Sequence, residues 1–153
     1  MSLKHVVRAP SITLEGAVAV TEGAIGKARE MERRVAVAVL DRFGRMISAQ
    51  CMDGCVNAAF EVALAKARHS ANFRRPTKFQ QDLLTEKQLL PSLAIPGMMP
   101  LEGGLEIQFD GETVGAIGVS GATAAEDAEI AAAGILAAGY VVGQPAEAAT
   151  PRA

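Results

Sequence analysis

The chain has no tryptophan, and only 4% of its 153 residues are aromatic. A core of these residues must be built from aliphatic side chains and small residues, and the 15 glycines and many alanines point to elements that pack backbone to backbone. Only two cysteines occur, Cys51 and Cys55. Their C-x-x-x-C spacing offers neither a disulfide framework nor a four-ligand zinc pattern, so reduced thiols and no structural metal are expected. No run approaches the ~20 apolar residues of a membrane helix, and the first fifteen residues lack the apolar stretch of a signal peptide. A cytoplasmic protein that engages no membrane is the expectation. No G-x-G-x-x-G follows a strand pattern, and no Walker motif occurs.

What is present suits one compact domain. Half the residues are hydrophobic and 21% are charged, enough to bury a core without staples. The net charge of −2 conceals an asymmetry. Five basic residues, Lys66, Arg68, Arg74, Arg75 and Lys78, stand together without an acid, whereas Glu102 to Glu147 carries acids alone. With few aromatics to stack bases and a pI near 5.7, nucleic acid is a poor partner for that tract. Ligand carboxylates, or the acidic half of a second copy, suit it better, and a solvated helix face is the plainer alternative.

Periodicity predicts the elements. After Pro10, Ser11 or Thr13 can cap a helix with Ala17, Val20, Ala24, Ala28 and Met31 on one stripe. Residues 35–50 read as a hairpin around Asp41-Arg42-Phe43-Gly44. A second helix spans 56–73 and is closed by Pro76. Residues 77–101, with Pro91, Pro96 and Pro100, read as broken helical turns and loop. A second hairpin, 105–121, turns at Asp110-Gly111, and Thr123-x-x-Glu126 makes a capping box for a last helix ending near Gly139 or Gly143. The order α, ββ, α, ββ, α is that of an α+β layer with antiparallel strands. Residues 1–10 are expected to be a flexible N-terminus, 11–143 a single domain, and 144–153 a disordered tail.

VAVLDRFGRM, the Met52-Asp53-Gly54 stretch, A-x-x-K-A at Ala63–Ala67, PLEGG, DGETVGAIGVSG and EDAEIAAAG occur here in an order and spacing similar to those of the GlcG/HbpS-like family, which includes the C-terminal domain of PduO-type proteins. The resemblance covers roughly Leu14 to Gly139. It implies a five-stranded antiparallel sheet with packed helices, homo-oligomers and, in some members, binding of haem or other tetrapyrroles. The chain departs from the family's pattern at Cys51, where Arg would stand, at His69, where Thr would stand, and at Glu106.

The candidate site follows. Lys66 and His69, three residues apart, share a helix face, where an ammonium would favour the neutral imidazole of a base or ligand. Lys66 could instead hold a carboxylate or act as an amine base, or simply snorkel to solvent. Glu102 is the candidate acid opposite them, and Lys66, His69 and Glu102 form the candidate catalytic set. Gly103 and Gly104 would let backbone approach a ligand and offer amides to an anion. Asp53 precedes a glycine turn, Phe73 closes the same helix, and Ser120-Gly121 leads into a helix N-terminus; these are the remaining candidate ligand-binding residues. Asp127 reads as a dipole partner of the last helix, and Cys51 as a small thiol rather than a nucleophile. Two functions are open. One is a small-ligand-binding protein for haem or another planar carboxylate-bearing molecule. The other is a cofactor-free enzyme of small-acid or aromatic catabolism that moves protons or water through Lys66 and His69.

Overall fold

The computed structural model describes residues 4–144. The N-terminal stretch expected to be flexible lies partly outside them, and the expected tail lies almost wholly outside. The first helix, α1, spans Leu14–Glu30, and of the two candidate caps Thr13 serves, its Oγ1 accepting from the Gly16 amide at 3.1 Å. Two strands follow, β1 (Ala36–Asp41) and β2 (Met46–Cys51). Asp41 itself holds their turn, taking the amides of Phe43 and Arg45 on Oδ1.

Helix α2 runs Ala59–Phe73, three residues shorter at its start than the periodicity suggests, because a turn at residues 52–55 precedes it. Arg74, in the left-handed region at φ 51°, ends the helix before Pro76. Residues 77–101 differ most from expectation. They contain an 11-residue helix, α3 (Thr77–Lys87), entered at Pro76 and closed by Gln88 at φ 50°, then a short 3-10 helix at Leu90–Ala94. The prolines lie beyond α3, so they break the segment after it rather than throughout it.

The second hairpin is β3 (Gly104–Phe109) and β4 (Glu112–Ser120). Asp110 and Gly111 both have positive φ, 48° and 76°, as a two-residue hairpin turn requires. Helix α4 (Ala124–Ala137) carries the capping box between Thr123 and Glu126, and a two-residue strand, β5 (Val141–Val142), closes the described chain. The five-stranded sheet has the order β2-β1-β4-β3-β5, and every pairing is antiparallel. The α+β class stands.

Side chains alternate across this sheet. Val35, Val37, Val39, Ile107, Ile117 and Val119 face α1 and α4, with Val20, Ala24, Ile130 and Ile135 completing that core. Ala36, Ala38, Leu40 and Ala116 face α2. This second layer is thin. A methyl group on Gly118 would collide with the backbone carbonyl of Ala63, so α2 lies directly on β4. Small residues on α1 and α4 serve the same end within the chain, where Gly134 meets the Val20 carbonyl and Ala24. The backbone-to-backbone packing expected from the glycines and alanines is thus met within the chain.

Candidate functional site

The close seating of α2 on the sheet carries Lys66 into the interior. Its Nζ donates to Asp127 Oδ2 at 2.9 Å and to the Val119 carbonyl at 2.9 Å, and both charged side chains are 3% exposed. Asp127 Oδ1 takes the Ala122 amide at 3.0 Å. Burial pushes the Asp127 carboxyl up, against the pull of Lys66 and that amide. The basic tract and the acidic half of the chain thus meet inside one molecule, and Arg33 with Glu126 and Lys27 with Glu129 repeat the pattern at the surface. Asp127 is therefore the counter-ion of Lys66 as well as the dipole partner expected of it.

His69, one turn further along α2, is fully buried. Its Nδ1 accepts the Met99 amide at 3.0 Å, which leaves the ring proton on Nε2. Burial, with the charge of Arg75 second, lowers its pKa from 6.5 to about 4. The imidazole is neutral, as expected, but desolvation and Arg75 account for this and Lys66 does not. Nε2 has no partner. Phe73 packs against the ring at 4.8 Å between centroids.

Arg75 completes this corner. Its guanidinium lies 4.7 Å from the Phe79 ring centroid and 5.7 Å from that of Phe73. Nη2 donates to Gln80 Oε1 at 3.1 Å, while the buried Nε has no partner among the described residues. Two N–H donors, on His69 and Arg75, therefore stand without acceptors around Phe73. Arg75 was visible in the sequence as one of the basic tract, but nothing in its spacing separated it from Arg74.

Phe79 also lines a pocket of about 290 Å³. Glu102, Gly103 and Gly104 line it with Pro76, Leu105 and Val142, so the three loop candidates do come together. Lys66 and His69 are not among its lining residues. Gly103, at φ 125°, is the wall between them, because a Cβ there would lie 2.8 Å from Lys66 Nζ. Of the two amides expected to bind an anion, that of Gly104 is occupied, donating to Thr77 Oγ1 at 2.9 Å, and the neighbouring Glu102 amide donates to Gln81 Oε1 at 2.9 Å.

The remaining candidates lie elsewhere. Asp53 lines a groove of about 460 Å³ with Arg29, Arg33 and Arg34, and its carbonyl accepts from Arg34 Nη1. Ser120 ends β4 and Gly121 follows it, and the α4 N-terminus beyond them is filled by its own acids. Glu126 there is held down to about 2, first by Arg33 and then by the Thr123 amide. Glu106 is a further buried group: Oε2 accepts from Thr113 Oγ1, Oε1 has no partner, and burial pushes its pKa up. Its signals in the sequence were an acid at a core position of β3 and the departure from the family's pattern at that residue.

Against known proteins, the sequence model of the family described as haem degrading protein HbpS-like matches residues 12–136. Protein GlcG of Escherichia coli strain K12 is 34% identical over 86 residues, which cover 56% of this chain and 63% of GlcG. The match thus spans less than two thirds of that relative. Among solved structures, Klebsiella pneumoniae ORFY superposes with a TM-score of 0.83 at 25% identity, covering 90% of this chain and 97% of that one. A double mutant of Streptomyces reticuli HbpS gives 0.79 at 30% identity, with 87% and 90% covered.

The family description raises haem, and His69 is the residue to test against it. A haem iron needs a nitrogen lone pair, whereas His69 Nε2 carries a proton while Nδ1 accepts from Met99. His69 as placed does not fit an axial ligand. Among the described residues no group of three or more His, Cys, Asp or Glu could hold a metal ion. The free donors suit a carboxylate instead.

Proposed function

Because the chain belongs to the HbpS-like family, we propose that it is a small-ligand-binding protein whose ligand is planar and carries a carboxylate, with haem as the candidate that the family description supplies. One observation carries this reading. His69 Nε2–H and Arg75 Nε–H are buried donors without acceptors, and each such group costs about 1–3 kcal/mol if nothing pairs with it. A carboxylate that accepts from both relieves that cost. Phe73 and Phe79 offer faces for a planar body, and Phe79 joins this corner to the neighbouring pocket. Haem enters only as a bearer of carboxylates, with no iron ligand assigned.

The carboxylate contact expected of Lys66 passes to Arg75, since the Lys66 ammonium is taken by Asp127. The enzyme reading, with Lys66, His69 and Glu102 moving protons, has no observation in its favour: Lys66 is paired, and Glu102 lies in a pocket that neither of the others lines.

Titration with haemin, followed in the visible spectrum, and with aromatic and aliphatic monocarboxylates, followed by calorimetry, tests the proposal. Saturable binding that weakens about 10- to 100-fold in Arg75→Gln is expected, the scale of one charge-assisted hydrogen bond. Absence of saturable binding by every probe overturns it. We further propose a homo-oligomer, supported by the exposed Leu89, Leu90, Leu93 and Ile95, which crowd the segment around the 3-10 helix.

A further inference from the structure

Cys51 ends β2, and Cys55 follows a turn in which the Cys55 amide donates to the Met52 carbonyl at 3.1 Å and Gly54 takes φ 79°, the geometry of a type II turn. The two cysteines flank that turn. In the β1–β2 register Cys51 stands directly opposite Ala36, so the two side chains leave the same face of the sheet with Cβ atoms about 4.5–5.5 Å apart. Ala36 is buried against Ala59 and Ala63, and Cys55 packs on that same small cluster. Cys51 stands opposite a member of the small cluster on which Cys55 packs, and a tight turn separates the two.

We propose that Cys51 and Cys55 form an oxidisable dithiol that closes to an intramolecular disulfide when a peroxide supplies the oxidant. Cys51 is exposed and Cys55 half-buried, which assigns the first attack to Cys51. Its thiolate displaces hydroxide from hydrogen peroxide and becomes a sulfenic acid, the hydroxide leaving as water with the thiol's proton. The Cys55 sulfur then attacks the Cys51 sulfur, the S–O bond breaks, and a second water departs. Two thiols and one peroxide thus give one disulfide and two waters. Cys51 has its thiol pushed up by burial first and by the nearness of Cys55 second, so closure quickens as the pH rises and the thiolate fraction grows. The bond would tie the end of β2 to the lead-in of α2, across the turn whose Asp53 carbonyl holds Arg34.

The test uses the full reduced chain, treated with hydrogen peroxide, alkylated and digested with trypsin. No Lys or Arg lies between residues 46 and 65, so both cysteines fall in one peptide. Loss of two hydrogens from that peptide, without covalent cross-links between chains and faster at higher pH, is the expected result. Cys55→Ser should instead accumulate a sulfenic acid at Cys51 that dimedone captures. The wild-type measurement decides alone if the variant fails to fold. Free thiols that persist under excess oxidant, sulfinic or sulfonic acid at Cys51 with Cys55 still alkylated, or disulfides found only between chains would each overturn the proposal.

Discussion

Lys66 and Asp127 lie 61 residues apart in sequence and 2.9 Å apart in space, joining α2 to α4 through the end of the sheet. Because both are buried, removing one leaves a buried charge without its counter-ion. Lys66→Met should lower unfolding free energy by about 3–5 kcal/mol, measured by chemical denaturation. The double variant Lys66→Met, Asp127→Leu should regain most of that loss. Equal destabilisation by the single and double variants would show that the loss is that of the pair's own interaction and not of a stranded charge.

The pH dependence of stability should carry the mark of His69. Its pKa is about 4 in the fold and 6.5 when exposed, so below 6.5 the unfolded chain binds the extra proton. The contribution of neutral His69 is complete above pH 6.5 and lost as pH falls toward 4, by about 3 kcal/mol at most. Denaturation of the wild type and His69→Gln at several pH values should show the difference between them shrinking over that window. A constant difference would refute it.

Glu106 predicts the opposite slope. Its carboxyl is raised by burial, so the unfolded chain ionises first and the wild type loses stability as pH rises past the ordinary glutamate range. Glu106→Gln keeps the shape and removes the charge. It should be more stable than the wild type at pH 7, with the gap closing toward pH 4, by thermal or chemical denaturation.

At Gly118 the layer between α2 and the sheet allows no side chain. Gly118→Ala should destabilise by about 1–3 kcal/mol or more, as α2 is lifted from β4. A melting temperature equal to the wild type's would mean that the helix shifts freely.

Sedimentation at micromolar concentration should show a species larger than the 15.9 kDa chain. Leu90→Glu with Leu93→Glu should shift it toward the monomer, while the far-ultraviolet spectrum stays unchanged. A monomer in the wild type would remove the assembly proposal.

Much of this fold was legible because its signals are local. Asp110-Gly111 fixes a turn whatever surrounds it, and the Thr123–Glu126 box needs only four residues. Helix α3 was missed because its sequence, TKFQQDLLTEK, is polar and buries only Thr77 and Gln80, so no apolar stripe betrays it. The site was partly legible for a related reason. Spacing placed Lys66 and His69 on one helix face, but spacing within a helix says nothing of what lies across from it. Asp127, Met99 and Arg75, which decide what those two groups can do, come from distant segments.

The seam between β1 and β4, where Val37 meets Val119, has a kinetic consequence. Each hairpin closes over a handful of residues and can form in about 1–10 μs, but joining them means drawing together strands separated by most of the chain. That step carries the loop-closure entropy of the whole fold, so the transition state for folding should contain the seam. Truncating Val39 or Ile117, which face each other across it, should then slow folding, whereas truncating a side chain of the outer strand β2 should mainly hasten unfolding.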